Sequence, residues 1–169
     1  RSSLLLARHQ FREGLAVAER VHRLDPALKR PHGALVDGYV ETGRYRAAAR
    51  ALQAAIDRGP TLSTYTRASY FRELHGDIPG AMEALRLAAS AGGDAAENVA
   101  YVKTLLGNLE LASGRTRSAR RSFLEARFRV PGYVPALVGL GRLDAMAGRF
   151  DRALPRLRAA ARRNASPES

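Results

Sequence analysis

The dipeptide Leu106-Gly107 returns as Leu140-Gly141 after 34 positions, and the residues around it return with it: Gly114, Ala119, Phe123 and Ala126 become Gly148, Ala153, Leu157 and Ala160. An internal period of this length constrains the fold more tightly than composition does. It marks a stack of helical hairpins, each too small to bury its apolar face alone, and it shifts the expected function from a pocket to an extended surface. Two earlier copies run through Gly43, Tyr45, Ala48, Leu52, Ala55 and Pro60, and through Gly76, Ile78, Ala81, Leu85 and Ala88. At the N-terminal end Phe11, Gly14, Ala18, Val21 and Pro26 match the second half of a copy, so the chain is expected to start inside a repeat.

The fold expected is therefore all-α: a single solenoid domain over residues 1–169, built of about five antiparallel helical hairpins. Its copies are placed at 1–28 (partial), 29–61, 62–93, 94–133 and 134–165, with a frayed tail at 166–169. The middle glycine of each copy follows an apolar helical run, where a left-handed backbone ends one helix and admits the next. The alanine five residues on is small because two helices approach most closely there. Pro26, Pro60 and Pro131 stop second helices, whereas Pro31, Pro79 and Pro135 can sit in first turns.

Two places break the rhythm. From Gly76 to Gly114 the step lengthens by about one helical turn, through Gly92-Gly93-Asp94-Ala95-Ala96-Glu97. Asp94 and Glu97 have capping-box spacing, which predicts a helix from near Ala95 that is a turn longer than its counterparts. Pro155 falls inside the last second helix and is expected to bend it or delay its start.

Leu137-x-x-Leu140-Gly141, Gly148-x-Phe150-x-x-Ala153 and Ala160 resemble the tetratricopeptide repeat: a bulky residue, Leu-Gly, an aromatic, then Ala, an aromatic, Ala and a closing Pro. The departures are Val36 and Ser69 in place of Gly, Gly14 in place of Ala, and Gly93 in place of Pro. The resemblance implies a right-handed superhelix whose first helices line a concave groove and whose second helices form the convex back. By that register the groove residues are Arg30, Asp37, Tyr70, Glu73, Tyr101, Thr104, Asn108 and Arg142. Tyr70, Tyr101 and Asn108 are the best placed to hold an extended peptide, tyrosine offering apolar area with a polar tip and asparagine pairing with backbone. Packing against a neighbouring repeat is the competing role for the two tyrosines. The carboxylate clamp of some chaperone-binding members is not expected: Asn108 fits one position, but Thr104, Pro135 and Gly139 stand where polar or basic partners are needed.

The net charge is +12, and the excess gathers towards the C-terminus. Between Arg115 and Arg163 there are 13 Arg against Glu125, Asp144 and Asp151, while Lys occurs only at Lys29 and Lys103. Guanidinium groups suit bidentate contact with carboxylate or phosphate. A compositional bias that raises Arg and Ala together is the competing cause. A basic convex patch of Arg117, Arg120, Arg121, Arg152 and Arg156 is the basis of a second reading, in which the chain is a regulatory or assembly module that meets an anionic partner there, or a second copy of itself at an open end. Nucleic acid is disfavoured, because no row of stacking aromatics accompanies the arginines.

Catalytic chemistry has little to stand on. There is no Cys, His9, His22, His32 and His75 lack metal-ligand spacing, and the acid pairs Asp37/Glu41 and Glu73/Asp77 have no nucleophile beside them. No cofactor, metal or enzymatic activity is expected. No apolar run is long enough to span a bilayer. The compartment is left open, with the cytoplasm as first expectation. The function expected is a protein-interaction scaffold holding a partner segment in its groove.

Overall fold

The computed structural model describes residues 2–25 and 30–164, with the side chains of Arg30, Pro31 and Asn164 outside that description. Pro26 and the tail at 166–169, each given a role above, lie outside it too. The described residues form ten α-helices and no strand. They gather into two compact units, 1–84 and 85–169.

The first unit contains α1 (Ser2–Ala7), α2 (Phe11–Leu24), α3 (Arg30–Glu41), α4 (Tyr45–Asp57), α5 (Leu62–Leu74) and the start of α6 (Ile78–Ala91). Consecutive helices from α1 to α5 pack on one another, and α3 also touches α1 and α5. Its core is aliphatic: Leu15, Ala18, Ala34 and Leu35 form one cluster, and Val36, Val40, Ala48, Leu52, Ala68 and Ala84 another. Gly14, the departure from Ala noted above, has a packing cause, since a Cβ there would come within 2.9 Å of Leu6 on α1.

The second unit holds the rest of α6 with α7 (Ala96–Ala112), α8 (Thr116–Arg129), α9 (Val134–Met146) and α10 (Phe150–Asn164). Here α7 packs on both α8 and α9, and α9 on both α8 and α10. Phe123, fully buried on α8, centres a cluster with Leu111, Ala119, Leu140 and Leu143. Its ring lies so close to two first helices that a Cβ at Gly107 or Gly139 would fall within 2.7 or 2.5 Å of it. The alanines assigned to the closest approaches, Ala48, Ala81, Ala119 and Ala153, are all buried.

The turns inside the hairpins share one construction. The amide of Gly114 donates to Leu111 (3.0 Å) and that of Arg115 to Glu110 (2.8 Å); Gly148 and Arg149 repeat this with Ala145 and Asp144, at 3.0 and 2.8 Å. The same bonds recur at Gly43 and Arg44, at Gly76 and Asp77, and at His9 and Gln10. This is the Schellman ending, which needs a left-handed residue at its apex. The glycines have φ of 70–78°, and His9, which stands 34 positions before Gly43, has φ 59° without being glycine.

The insertion acts as expected in length and in its start near Ala95, with α7 beginning at Ala96, but not in its cap. Helix α7 has 17 residues against 12 in α3 and 13 in α5 and α9. Its N-cap, however, is Ala95, with no side-chain cap hydrogen bond, so Asp94 and Glu97 do not close a capping box. Pro155 lies within α10, which nonetheless starts at Phe150. Its start is not delayed.

Candidate interaction surfaces

In the first unit α3 and α5 are tied by a fork: Arg67 donates from Nε and Nη2 to the two carboxylate oxygens of Asp37, both at 2.7 Å. The guanidinium is further fixed by Ser63, whose carbonyl accepts from Nη1 at 3.2 Å, and it rests on Gly33, where a Cβ would stand 3.0 Å from Cζ. Asp37 is thus engaged within the protein, through a partner the sequence reading did not single out. About one turn further along both helices come Glu41 and Tyr70. Tyr70 is 48% exposed. Its phenol is pushed above the ordinary tyrosine range, first by partial burial and then by the carboxylates of Glu41 and Glu73, so it stays a neutral hydrogen-bond donor at neutral pH. Glu73 is exposed on the same helix, and Arg30, although part of α3, has its side chain outside the description.

In the second unit Tyr101 is 49% exposed on α7, and Asn108, about two turns on, is exposed as well. Tyr133 is raised by burial and then by its neighbours Tyr101 and Glu97. Thr104 does not join them: it is buried, and its hydroxyl donates to the Ala100 carbonyl of its own helix at 2.9 Å. Arg142 is exposed on α9.

The basic patch divides in two. Arg117, Arg121 and Arg152 are exposed, with Arg121 donating to the Ser118 hydroxyl at 3.2 Å. Arg120 and Arg156 instead converge on Asp144 of α9, together with Arg149. Arg120 Nη2 lies 2.7 Å from Asp144 Oδ1, Arg149 reaches the same oxygen from Nε and Nη2 at 3.1 and 3.0 Å, and Arg156 contacts Oδ2. The carboxylate is fully buried, while the three arginine side chains that meet it stay partly exposed. The Arg156 guanidinium is held below its ordinary range by burial and then by repulsion from Arg120 and Arg127. Asp144 had one available signal, an acid three residues beyond Gly141 in a helix whose other charged residue is Arg142.

The repeat pattern of the tetratricopeptide repeat matches residues 34–96 and 104–169, most of the chain. The chain belongs to the tetratricopeptide repeat family. Solved members share its fold at low identity. PilF of Pseudomonas aeruginosa superposes with a TM-score of 0.81 at 15% identity, over 95% of this chain and 72% of that one. MamA of Desulfovibrio magneticus RS-1 gives 0.74 at 16%, over 99% and 93%. YrrB, described as a tetratricopeptide protein with an unusual peptide-binding site, gives 0.65 at 17%, over 99% and 84%. No curated protein matches the chain. Among the described residues no helix is long and apolar enough to cross a membrane, and no group of three or more His, Asp or Glu is placed to hold a metal ion.

Proposed function

We propose that this tetratricopeptide repeat protein is a non-catalytic scaffold that holds a segment of a partner protein against its first helices. Repeats of this family mediate protein–protein interaction, and the neighbour YrrB is described by its peptide-binding site. The observation that carries the reading is that Tyr70 and Tyr101 are each about half exposed at the family's groove register. A tyrosine left this open offers a partner apolar area at small entropic cost and keeps a hydroxyl for its backbone. Asn108 adds an amide that can both donate to and accept from a peptide.

The test is capture of a partner from native extract by the wild-type chain and by the Tyr70→Ala, Tyr101→Ala double variant. Capture is expected to fall by about tenfold or more. Arg121→Glu with Arg152→Glu serves the rival reading through the basic patch. Arg120 and Arg156 are unsuitable there, because reversing either disrupts the surroundings of Asp144. If the tyrosine variant captures as much as wild type, the groove reading is wrong.

A further inference from the structure

A notch of about 310 Å³ opens between the first turn of α8, with Thr116, Arg117 and Arg120, and the end of α9 with its following turn, where Leu143, Met146 and Arg149 line it. Two of its three guanidinium groups are held in place from behind. Asp144 takes one nitrogen of Arg120 and two of Arg149, while each guanidinium carries five N–H donors. The third, Arg117, is exposed and has no ion-pair partner among the described residues. With Arg156 also on Asp144, three cations share a single carboxylate, and Arg117 lines the notch beside them, so the neighbourhood carries a surplus of positive charge. The Arg156 guanidinium is lowered first by burial and only then by this crowding, from Arg120 and Arg127. Beside the charge lies apolar surface: Leu143 is buried, but Met146 is 67% exposed.

We propose that this notch binds an acidic peptide segment, an Asp or Glu carboxylate entering between Arg117, Arg120 and Arg149 while an adjacent apolar side chain rests on Met146. Fixed guanidinium groups lose little freedom when an anion arrives, which favours a specific contact over a diffuse one. The flexible thioether of Met146 adapts to more than one aliphatic shape. A nucleic acid is a poorer fit, since no aromatic lines the notch for a base to stack on. None of the groove tyrosines takes part, so the site stands or falls separately from the scaffold reading.

The experiment is fluorescence anisotropy on the full chain with a labelled Gly-Ser-Glu-Leu-Glu-Met-Gly-Ser peptide, the same peptide with Gln for both Glu, and single-stranded oligothymidine. The Glu peptide is expected to bind and the Gln peptide to lose binding. Arg117→Glu should weaken binding by about tenfold or more, and Met146→Ser by about threefold. Arg158→Glu, an equal charge change at an exposed site on α10 outside the notch, should change it by less than about twofold. Arg117→Glu must keep the wild-type melting curve, and Lys at position 117 should restore part of the affinity. Tyr70→Ala with Tyr101→Ala should leave the Glu peptide bound. The proposal is overturned if the wild-type chain does not bind the Glu peptide or binds the Gln peptide equally well. It is also overturned if Arg117→Glu and Arg158→Glu weaken binding alike, or if oligothymidine binds more tightly and is lost with Arg117→Glu.

Discussion

Glu110 and Asp144 stand 34 positions apart at the same point of successive first helices, and both are buried acids. Each is engaged from the equivalent place on the second helix of its own hairpin: Glu110 accepts from the Ser122 hydroxyl at 2.7 Å, and Asp144 forms an ion pair with the Arg156 guanidinium. The repeat therefore conserves a polar bridge between its two helices while changing its chemistry, neutral donor in one copy and cation in the next. Asp144 has recruited Arg120 and Arg149 besides.

Asp144→Ala leaves three partly exposed guanidinium groups without their carboxylate and is expected to cost about 1.5–3 kcal/mol, less than for a pair in which both charges are buried. Asp144→Leu combined with Arg156→Met should cost clearly less, since the innermost charge leaves with its partner. Denaturant unfolding followed by circular dichroism checks both. Equal losses in the two variants would show that packing, not charge, is what Asp144 supplies.

Gly139→Ala drives a methyl group into the Phe123 ring, and Gly107→Ala does so from α7. Each should destabilise by about 1–3 kcal/mol, as overpacking of a full core does. Phe123→Leu makes room, so a double-mutant cycle with Gly139→Ala should show a coupling of at least about 0.5 kcal/mol. Strict additivity would mean that the helices move apart instead.

His9 adopts at the first turn the backbone that glycine adopts at the other four. Gly148→Ala is expected to cost about 1 kcal/mol, and His9→Gly to gain up to about 1 kcal/mol, lessened by loss of the edge contact between His9 and Phe11. Thermal melting of the two variants reads opposite signs. A lower midpoint for His9→Gly would show that the ring contact outweighs the backbone strain.

The phenols of Tyr70 and Tyr133 are raised chiefly by burial, so the folded state favours their neutral form. A raised group contributes stability that is complete below the unfolded pKa near 10 and is lost as pH climbs through the folded value. The melting temperature should therefore fall more steeply above about pH 10 in wild type than in Tyr133→Phe. Parallel curves would remove Tyr133 from the alkaline transition.

The hairpins are legible in the sequence because glycine at the turn and alanine at the helix contact each have a geometric duty that few residues can perform. The first turn is hidden for the same reason, since His9 bears the duty without the expected residue. Asp144 is harder to read: Arg120, Arg149 and Arg156 come from two helices and a turn, and no local pattern announces their convergence. Thr104 shows the limit of register. Spacing puts it on a helix face, but α7 is covered by both α8 and α9, and the number of neighbours is a tertiary matter. Asp94 and Glu97 have the spacing of a cap, yet the backbone begins its helix one residue too late for Asp94 to serve.

The hairpin turns close through main-chain amides, and the residue after the left-handed apex gives its own N–H, which every residue but proline carries. That position holds Gln10, Arg44, Asp77, Arg115 and Arg149. Charge there can change sign from one copy to the next without altering the bonds that form the turn. Copies of a hairpin are thus free to diverge at this point one at a time, and the grip of Arg149 on Asp144 is a use that one copy has made of that freedom.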